Sequence, residues 1–312
     1  MAFSFFLISR GLSTSKIVSG TVKNVTVIGS GLMGSGVAQV AAQTGHIVTL
    51  VDVNDAALKK ASSSINNNMQ RVAKKLYKDQ PAEGDKFIKD AWSKLTFSLD
   101  LEGAVKSSDL VLEAIVEKLS AKHDLFSKID LIAPQQTIFA SNTSSIPITE
   151  IASVTKRKDR FIGLHFFNPV PVMKLLEVIR TKDTSDETYQ KAIAWGKAIG
   201  KVAITCKDTP GFVVNRLLVP LLCEAVRMVE RGDASAKDVD IAMKLGAGHP
   251  MGPIELADYV GHDTTKSIIE VFQSKYPGNP LFEQIKSLND LVQEGKLGIK
   301  SGEGFYKYEK KN

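Results

Sequence analysis

Apolar and polar positions along this chain follow two regimes. In the first two thirds, short apolar runs alternate with stretches of helical period. Asn24 to Ile28 reads as a buried strand, and Leu32 onward as a helix with Met33, Val37, Val40 and Ala41 on its apolar positions. A second apolar run, Ile47 to Val51, stops at Asp52, which completes one β-α-β unit. Further strands are predicted at Leu110 to Ile115, Thr137 to Ala140, Phe161 to Phe166, Leu175 to Ile179 and Val202 to Thr205, with helical patterns between them. Such alternation predicts an α/β architecture, a parallel sheet with helices on both faces.

Beyond Asp208 the strand signals cease. Asp208-Thr209-Pro210-Gly211 breaks the chain and offers a cap for a long helix starting near Phe212 and ending at Gly232. Ser235-Ala236-Lys237-Asp238 resembles a capping box and opens a helix toward Leu245, and Gly252-Pro253 and Asp263 to Tyr276 suggest two more. The expected division is a leader over 1–19, an α/β domain over 20–207 and an all-α C-terminal domain over 208–312.

Composition narrows the function classes. The chain has 312 residues, 43% of them hydrophobic, which excludes disorder as a global description. A net charge of +6 is spread along the chain, so no nucleic-acid partner is expected. Two cysteines, Cys206 and Cys223, form no metal-ligand or disulfide pattern, and no metal site is expected. The most apolar late stretch, Phe212 to Val229, carries Asn215, Arg216, Pro220, Glu224 and Arg227, so no membrane span is expected. Met1 to Val51 contains no Asp or Glu, while Arg10, Lys16 and Lys23 stand among serines and threonines; this is the composition of a mitochondrial transit peptide.

Gly29-Ser30-Gly31-Leu32-Met33-Gly34 places a GxGxxG between the first strand and the first helix. In that context the glycines serve a tight turn, close approach of a pyrophosphate, and helix-to-sheet packing, which makes the first domain Rossmann-like and dinucleotide-binding. Asp52 lies 21 residues beyond Gly31 at the end of the second strand. A carboxylate there bonds the ribose hydroxyls and favours NAD over NADP. Glu117 follows the strand starting at Leu110, at a ligand-facing end, although its spacing equally suits the start of a helix. Lys122 is not separable by pattern from a surface lysine.

The segment from Gly163 to Glu177 carries the candidate chemistry. Two strand-like runs flank a proline-rich turn centred on Pro171, and a hairpin symmetric about that residue pairs His165 with Glu177 on one face. Oxidation of an alcohol requires a base for the hydroxyl proton; histidine suits that task at neutral pH, and a carboxylate orients it. The same pair would also serve a packed hairpin without chemistry. Ser144, within Ser141 to Ser145, follows a strand end where hydroxyl donors can hold a substrate oxygen or simply cap a helix. Asn215 sits early in an otherwise apolar helix, facing either the cleft or solvent. Between Ala56 and Gln80 a helical pattern carries Arg71, Lys74, Lys75 and Lys78 on one face, which would suit the phosphates of a coenzyme or be an ordinary solvated stripe.

Taken together, GSGLMGSGVAQVAAQTGH, AIVEKL, FASNTSS, FIGLHFFNPVPVMKLLEV, KDTPGFVVNRLL, LGAGHPMGP and SGEGFYKY resemble the L-3-hydroxyacyl-CoA dehydrogenases of fatty acid β-oxidation, over nearly everything after the leader. The resemblance implies NAD-dependent oxidation of an L-3-hydroxyacyl-CoA in the mitochondrial matrix. It implies His165 as base with Glu177 as partner, and Ser144 and Asn215 on the substrate oxygen. For NAD it implies Gly29 to Gly34, Asp52, Glu117, Lys122, Ser144 and Lys300. For CoA it implies Lys75 and Ser144, with Asn68 standing where the family has a serine, and it implies a homodimer formed through the helical domain. A dehydrogenase of free sugar acids and a catalytically idle NAD-binding protein are the alternatives.

Overall fold

The structure, a computed structural model, describes residues 22–309; the leader over 1–19 lies outside them. Eight strands form one sheet: β1 (Asn24–Ile28), β2 (Ile47–Val51), β3 (Leu95–Ser98), β4 (Leu110–Glu113), β5 (Ile138–Ser141), β6 (Phe161–Phe166), β7 (Leu175–Arg180) and β8 (Val202–Lys207). Their spatial order is β3-β2-β1-β4-β5-β6-β7-β8. The first six run parallel, β7 is antiparallel to β6 as the hairpin about Pro171 predicts, and β8 is parallel to β7. The tight turn between β6 and β7 leaves no length for a crossover helix, and a short connection between neighbouring strands reverses direction.

The sheet domain carries seven helices: α1 (Leu32–Gln43), α2 (Asp55–Leu76), α3 (Pro81–Trp92), α4 (Leu101–Val105), α5 (Leu119–Asp130), α6 (Ile148–Ala152) and α7 (Asp186–Ala198). They cover both faces. Val25 and Val27 of β1 pack with Val37 of α1, Ile65 of α2 and Trp195 of α7, whereas Val111 and Phe139 pack with Phe126 of α5 and Ile151 of α6. Burial on both faces explains why these strands read as continuous apolar runs. Strand β3 was not foreseen. It is an edge strand whose Leu95 alone is buried, so it shows no apolar run.

Five helices follow: α8 (Val214–Glu230), α9 (Ala236–Gly246), α10 (Pro253–Val260), α11 (His262–Lys275) and α12 (Lys286–Gln293). Val219, Val226, Ile254, Ile269, Phe272 and Phe282 form their shared core. Ser235 caps α9 by accepting from the Asp238 N–H at 3.1 Å, as the sequence suggests. The Asp208 cap is a correction. Its carboxylate accepts from the Ile148 and Thr149 N–H groups at 2.8 and 2.7 Å and thereby caps α6, not the long helix. That helix starts at Val214, two residues later than expected, because Phe212 takes a left-handed φ of 51°. The basic stripe is likewise shortened: α2 ends at Leu76, which leaves Lys78 in the turn before α3 and off the helical face.

Candidate active site

The parallel register places Ile28, Val51, Glu113, Ser141 and Gly163 in one row at the carboxyl edge of the sheet. Residues just beyond this row form the site, as expected for an open α/β sheet. Gly29 has φ +101°, and a Cβ on it would lie 2.5 Å from the Ala114 carbonyl oxygen. A Cβ on Gly34 would lie 1.8 Å from the Gly29 oxygen, whereas one on Gly31 would meet nothing within 4 Å. The first and third glycines are thus demanded by the protein's own packing, and the second borders open space.

Helix α1 starts there with no side-chain cap and no acidic residue in its first turn. Leu32 at its head is exposed and Met33 half-buried. Free N–H groups beside an open glycine suit a pyrophosphate. Asp52 Oδ2 accepts from the Ser30 N–H at 2.8 Å and the Ser30 hydroxyl at 2.7 Å, while Oδ1 accepts from the Asn54 N–H at 3.1 Å. Partial burial opposes the charge of Asp52, but these bonds outweigh it and hold the carboxyl below its usual range. An ionised carboxylate tied to the glycine loop fits the ribose of NAD and repels the extra phosphate of NADP.

Between β4 and β5 lies a charged cluster that pattern reasoning largely missed. Glu113 and Lys122 are both fully buried, with the ammonium 2.6 Å from Glu113 Oε1 and 3.1 Å from Glu117 Oε2. Lys122 is therefore an internal brace and not the surface lysine its spacing allowed. Glu117 Oε1 accepts from the Thr143 hydroxyl, the Ser144 and Ser145 N–H groups and the Ser145 hydroxyl. Burial works against its charge, yet the Lys122 ammonium and these donors prevail, and its pKa is lowered. The signal for Glu113 was present as one acid closing the apolar run Leu110-Val111-Leu112.

His165 and Glu177 are directly paired across β6 and β7, in the register that symmetry about Pro171 requires. Nδ1 of His165 donates to Glu177 Oε2 at 2.7 Å. The other oxygen, Oε1, accepts from the Val213 and Val214 N–H groups at 3.0 and 2.9 Å, so the carboxylate also closes the start of α8. The helix dipole favours negative charge at that point. With Nδ1 donating, the lone pair sits on Nε2, which bonds to none of the described residues. Phe167 and Phe212 flank the imidazole at centroid distances of 4.6 and 5.4 Å.

Two further candidate side chains stand at the start of α8 and beyond the end of β5. Asn215 is the second residue of α8, directly after the two N–H groups on Glu177, and is half-buried. Ser144 is exposed beyond β5, with its backbone fixed by Glu117. The β5 and β6 ends are further locked by the Phe166 N–H, which donates to Asn142 Oδ1 at 2.9 Å. On α2, Asn68 is half-buried, and Arg71, Lys74 and Lys75 are exposed opposite the packed face of Leu58, Ile65 and Met69. Lys300 is not brought to the others. It pairs with Asp263 in the helical domain and lies against Gly261.

Residues 24–209 match the family described as 3-hydroxyacyl-CoA dehydrogenase, NAD binding domain, and residues 211–308 match its C-terminal domain. The chain is 53% identical to a mitochondrial hydroxyacyl-coenzyme A dehydrogenase of Sus scrofa, covering 99% of this chain and 100% of that protein. It is 54% identical to its Homo sapiens counterpart over the same shares. Among solved structures, a (S)-3-hydroxybutyryl-CoA dehydrogenase from Ralstonia eutropha superposes with a TM-score of 0.87 at 40% identity, covering 93% of this chain and 100% of that one. With a glycine loop, an acid bonded to it and a histidine-carboxylate pair on one sheet, and with relatives matching almost the whole chain, this protein is an NAD-dependent oxidoreductase acting on a CH–OH group, and the chain belongs to the 3-hydroxyacyl-CoA dehydrogenase family.

Proposed function

We propose that this protein oxidises L-3-hydroxyacyl-CoA to 3-ketoacyl-CoA in fatty acid β-oxidation, with His165 as general base oriented by Glu177. The observation that carries this reading is the dyad itself, in which Nδ1 is engaged at 2.7 Å and Nε2 is left for a substrate proton. Nε2 takes the proton of the C3 hydroxyl, and Glu177 stabilises the imidazolium so formed. The glycine loop and Asp52 would hold NAD, which would supply the acceptor for the hydride leaving C3. Ser144 and Asn215 donate to the substrate oxygen, which favours the alkoxide-like charge that builds there as the proton leaves. In the reverse direction the imidazolium returns its proton to the reduced carbonyl.

Gly29 to Gly34, Asp52, Glu117, Lys122 and Ser144 form the NAD side of the site, within a domain spanning 20–207. Lys300 joins it only by moving off Asp263. Lys75, with Asn68 and Ser144, holds CoA. The unpaired cations on α2 support an anionic handle and favour a CoA ester over a free sugar acid. The test is NADH oxidation with acetoacetyl-CoA compared across acyl lengths, set beside NAD reduction with free gulonate. Turnover of the CoA ester alone supports the reading, whereas preference for gulonate sinks it.

We place the protein in the mitochondrial matrix as a homodimer joined through residues 208–312. Relatives named mitochondrial and the acid-free leader support the location. A reporter fused to residues 1–20 that stays cytosolic would refute the first statement, and a monomer in sedimentation would refute the second.

A further inference from the structure

The charged cluster between β4 and β5 has an acid that neither the dyad nor the cofactor cradle uses. Glu113 is 0% exposed, at the last position of β4. Its Oε1 accepts from the Ile115 N–H at 2.8 Å and from Lys122 at 2.6 Å, and its Oε2 accepts from the Ser141 hydroxyl at 2.6 Å. A buried carboxylate is costly unless every lone pair is used, and here the donors come from both strand ends that border the site. Lys122 hands the arrangement on. Its ammonium touches Glu117 Oε2, and Glu117 Oε1 gathers Thr143, Ser144 and Ser145. Ser144 thus stands at the end of a chain of charge-assisted bonds that begins at Glu113.

We infer that Glu113 is a positioning residue for the reaction: through Lys122 and Glu117 it sets the turn that presents the Ser144 hydroxyl to the substrate oxygen. Two carboxylates share one buried ammonium, so each limits how far the other can draw it. If Glu113 loses its charge, Lys122 moves fully onto Glu117 and competes with the N–H groups of Ser144 and Ser145 for that carboxylate. The turn then loosens while His165, held by Glu177, stays in place. A hydrogen bond aimed at a developing charge loses most of its effect when its donor is displaced by a fraction of an ångström.

This inference rests on the proposed role of Ser144, and a double-mutant cycle separates the two. Glu113→Gln keeps the shape and removes the charge. It is expected to lower kcat about tenfold, on the order of one charge-assisted bond, with the KM for acetoacetyl-CoA changed less than about threefold. In a Ser144→Ala background the same change is expected to lower kcat less than about twofold, because the hydroxyl it positions is gone. Equal losses in both backgrounds would show that Glu113 acts on stability or on another group, and would overturn the inference. If Ser144→Ala alone leaves kcat unaltered, the assignment of Ser144 fails first and the inference with it. Should Glu113→Gln not fold, Ser141→Ala cuts the same carboxylate from the other strand and is expected to show the same coupling with a smaller loss. Additivity there is equally decisive against the inference.

Discussion

Replacing Glu177 by glutamine tests the dyad with almost no change of volume. Glu177 now accepts three hydrogen bonds: from His165 Nδ1 at 2.7 Å, Val213 N–H at 3.0 Å and Val214 N–H at 2.9 Å. An amide has one accepting oxygen and one donating NH2, so the three cannot all be kept. Turning the oxygen to the imidazole sets the NH2 against two backbone N–H groups and leaves both unsatisfied, at a cost of about 1–3 kcal/mol each. Turning it to α8 keeps the helix start and offers NH2 to Nδ1. The second orientation wins on these magnitudes.

Its consequence is chemical. Nδ1 must then accept, which moves the neutral ring's proton to Nε2 and removes the lone pair that takes the substrate proton. Loss of a general base in the wrong tautomer costs roughly 10²–10⁴ in rate. Glu177→Gln is therefore expected to lose two or more orders of magnitude in kcat while its melting temperature falls only modestly, since the cap on α8 survives. The assay is NADH oxidation by acetoacetyl-CoA, with a thermal melt of the same preparation. A folded variant whose turnover stays within about threefold of wild type would refute the tautomer argument and the pairing it rests on.

Asp52→Ala should lower the ratio of kcat/KM for NAD to that for NADP by at least about tenfold, because it removes both the ribose acceptor and the charge that repels a 2′-phosphate; an unaltered ratio places the ribose contact elsewhere. Lys75→Ala should raise the KM for acetoacetyl-CoA a few-fold with little change in kcat, consistent with about 0.2–1 kcal/mol for an exposed ion pair, and the triple change with Arg71 and Lys74 should raise it further. A pantetheine thioester of the same acyl group should be unaffected, and equal impairment of that substrate would make the stripe a solvated face. Glu117 has a lowered pKa in the fold, so the stability it adds is complete above its unfolded value near 4.3 and is lost as pH falls through the lower folded value. Acid unfolding of Glu117→Gln should accordingly be less steep below about pH 5 than that of wild type, and coincident slopes would refute the charge assigned to it.

Much of this site was legible because local patterns dictate it. The glycine loop is fixed by spacing between a strand and a helix, and the His165–Glu177 register follows from a turn centred on Pro171. What stayed hidden depends on contacts far apart in sequence. Asp208 caps α6 from 60 positions away, and Glu177 closes a helix 37 positions later. A lysine buried between two acids has the same one-letter pattern as a solvated one, so Lys122 declared itself only in three dimensions. Edge strand β3 escaped for the opposite reason, because a half-exposed strand needs no apolar run. The end of α2 at Leu76, which takes Lys78 off the basic face, had no proline or glycine to announce it.

The central claim is that His165 acts in the chemical step and not in cofactor docking. Its most direct measurement is the kcat of His165→Gln for acetoacetyl-CoA reduction, paired with the Kd of NADH measured by fluorescence titration on the same protein. The account predicts a loss of about 10²–10⁴ in kcat with the NADH Kd within about threefold of wild type. Turnover near the wild-type value, or a fall in NADH affinity large enough to explain the lost activity, would contradict it.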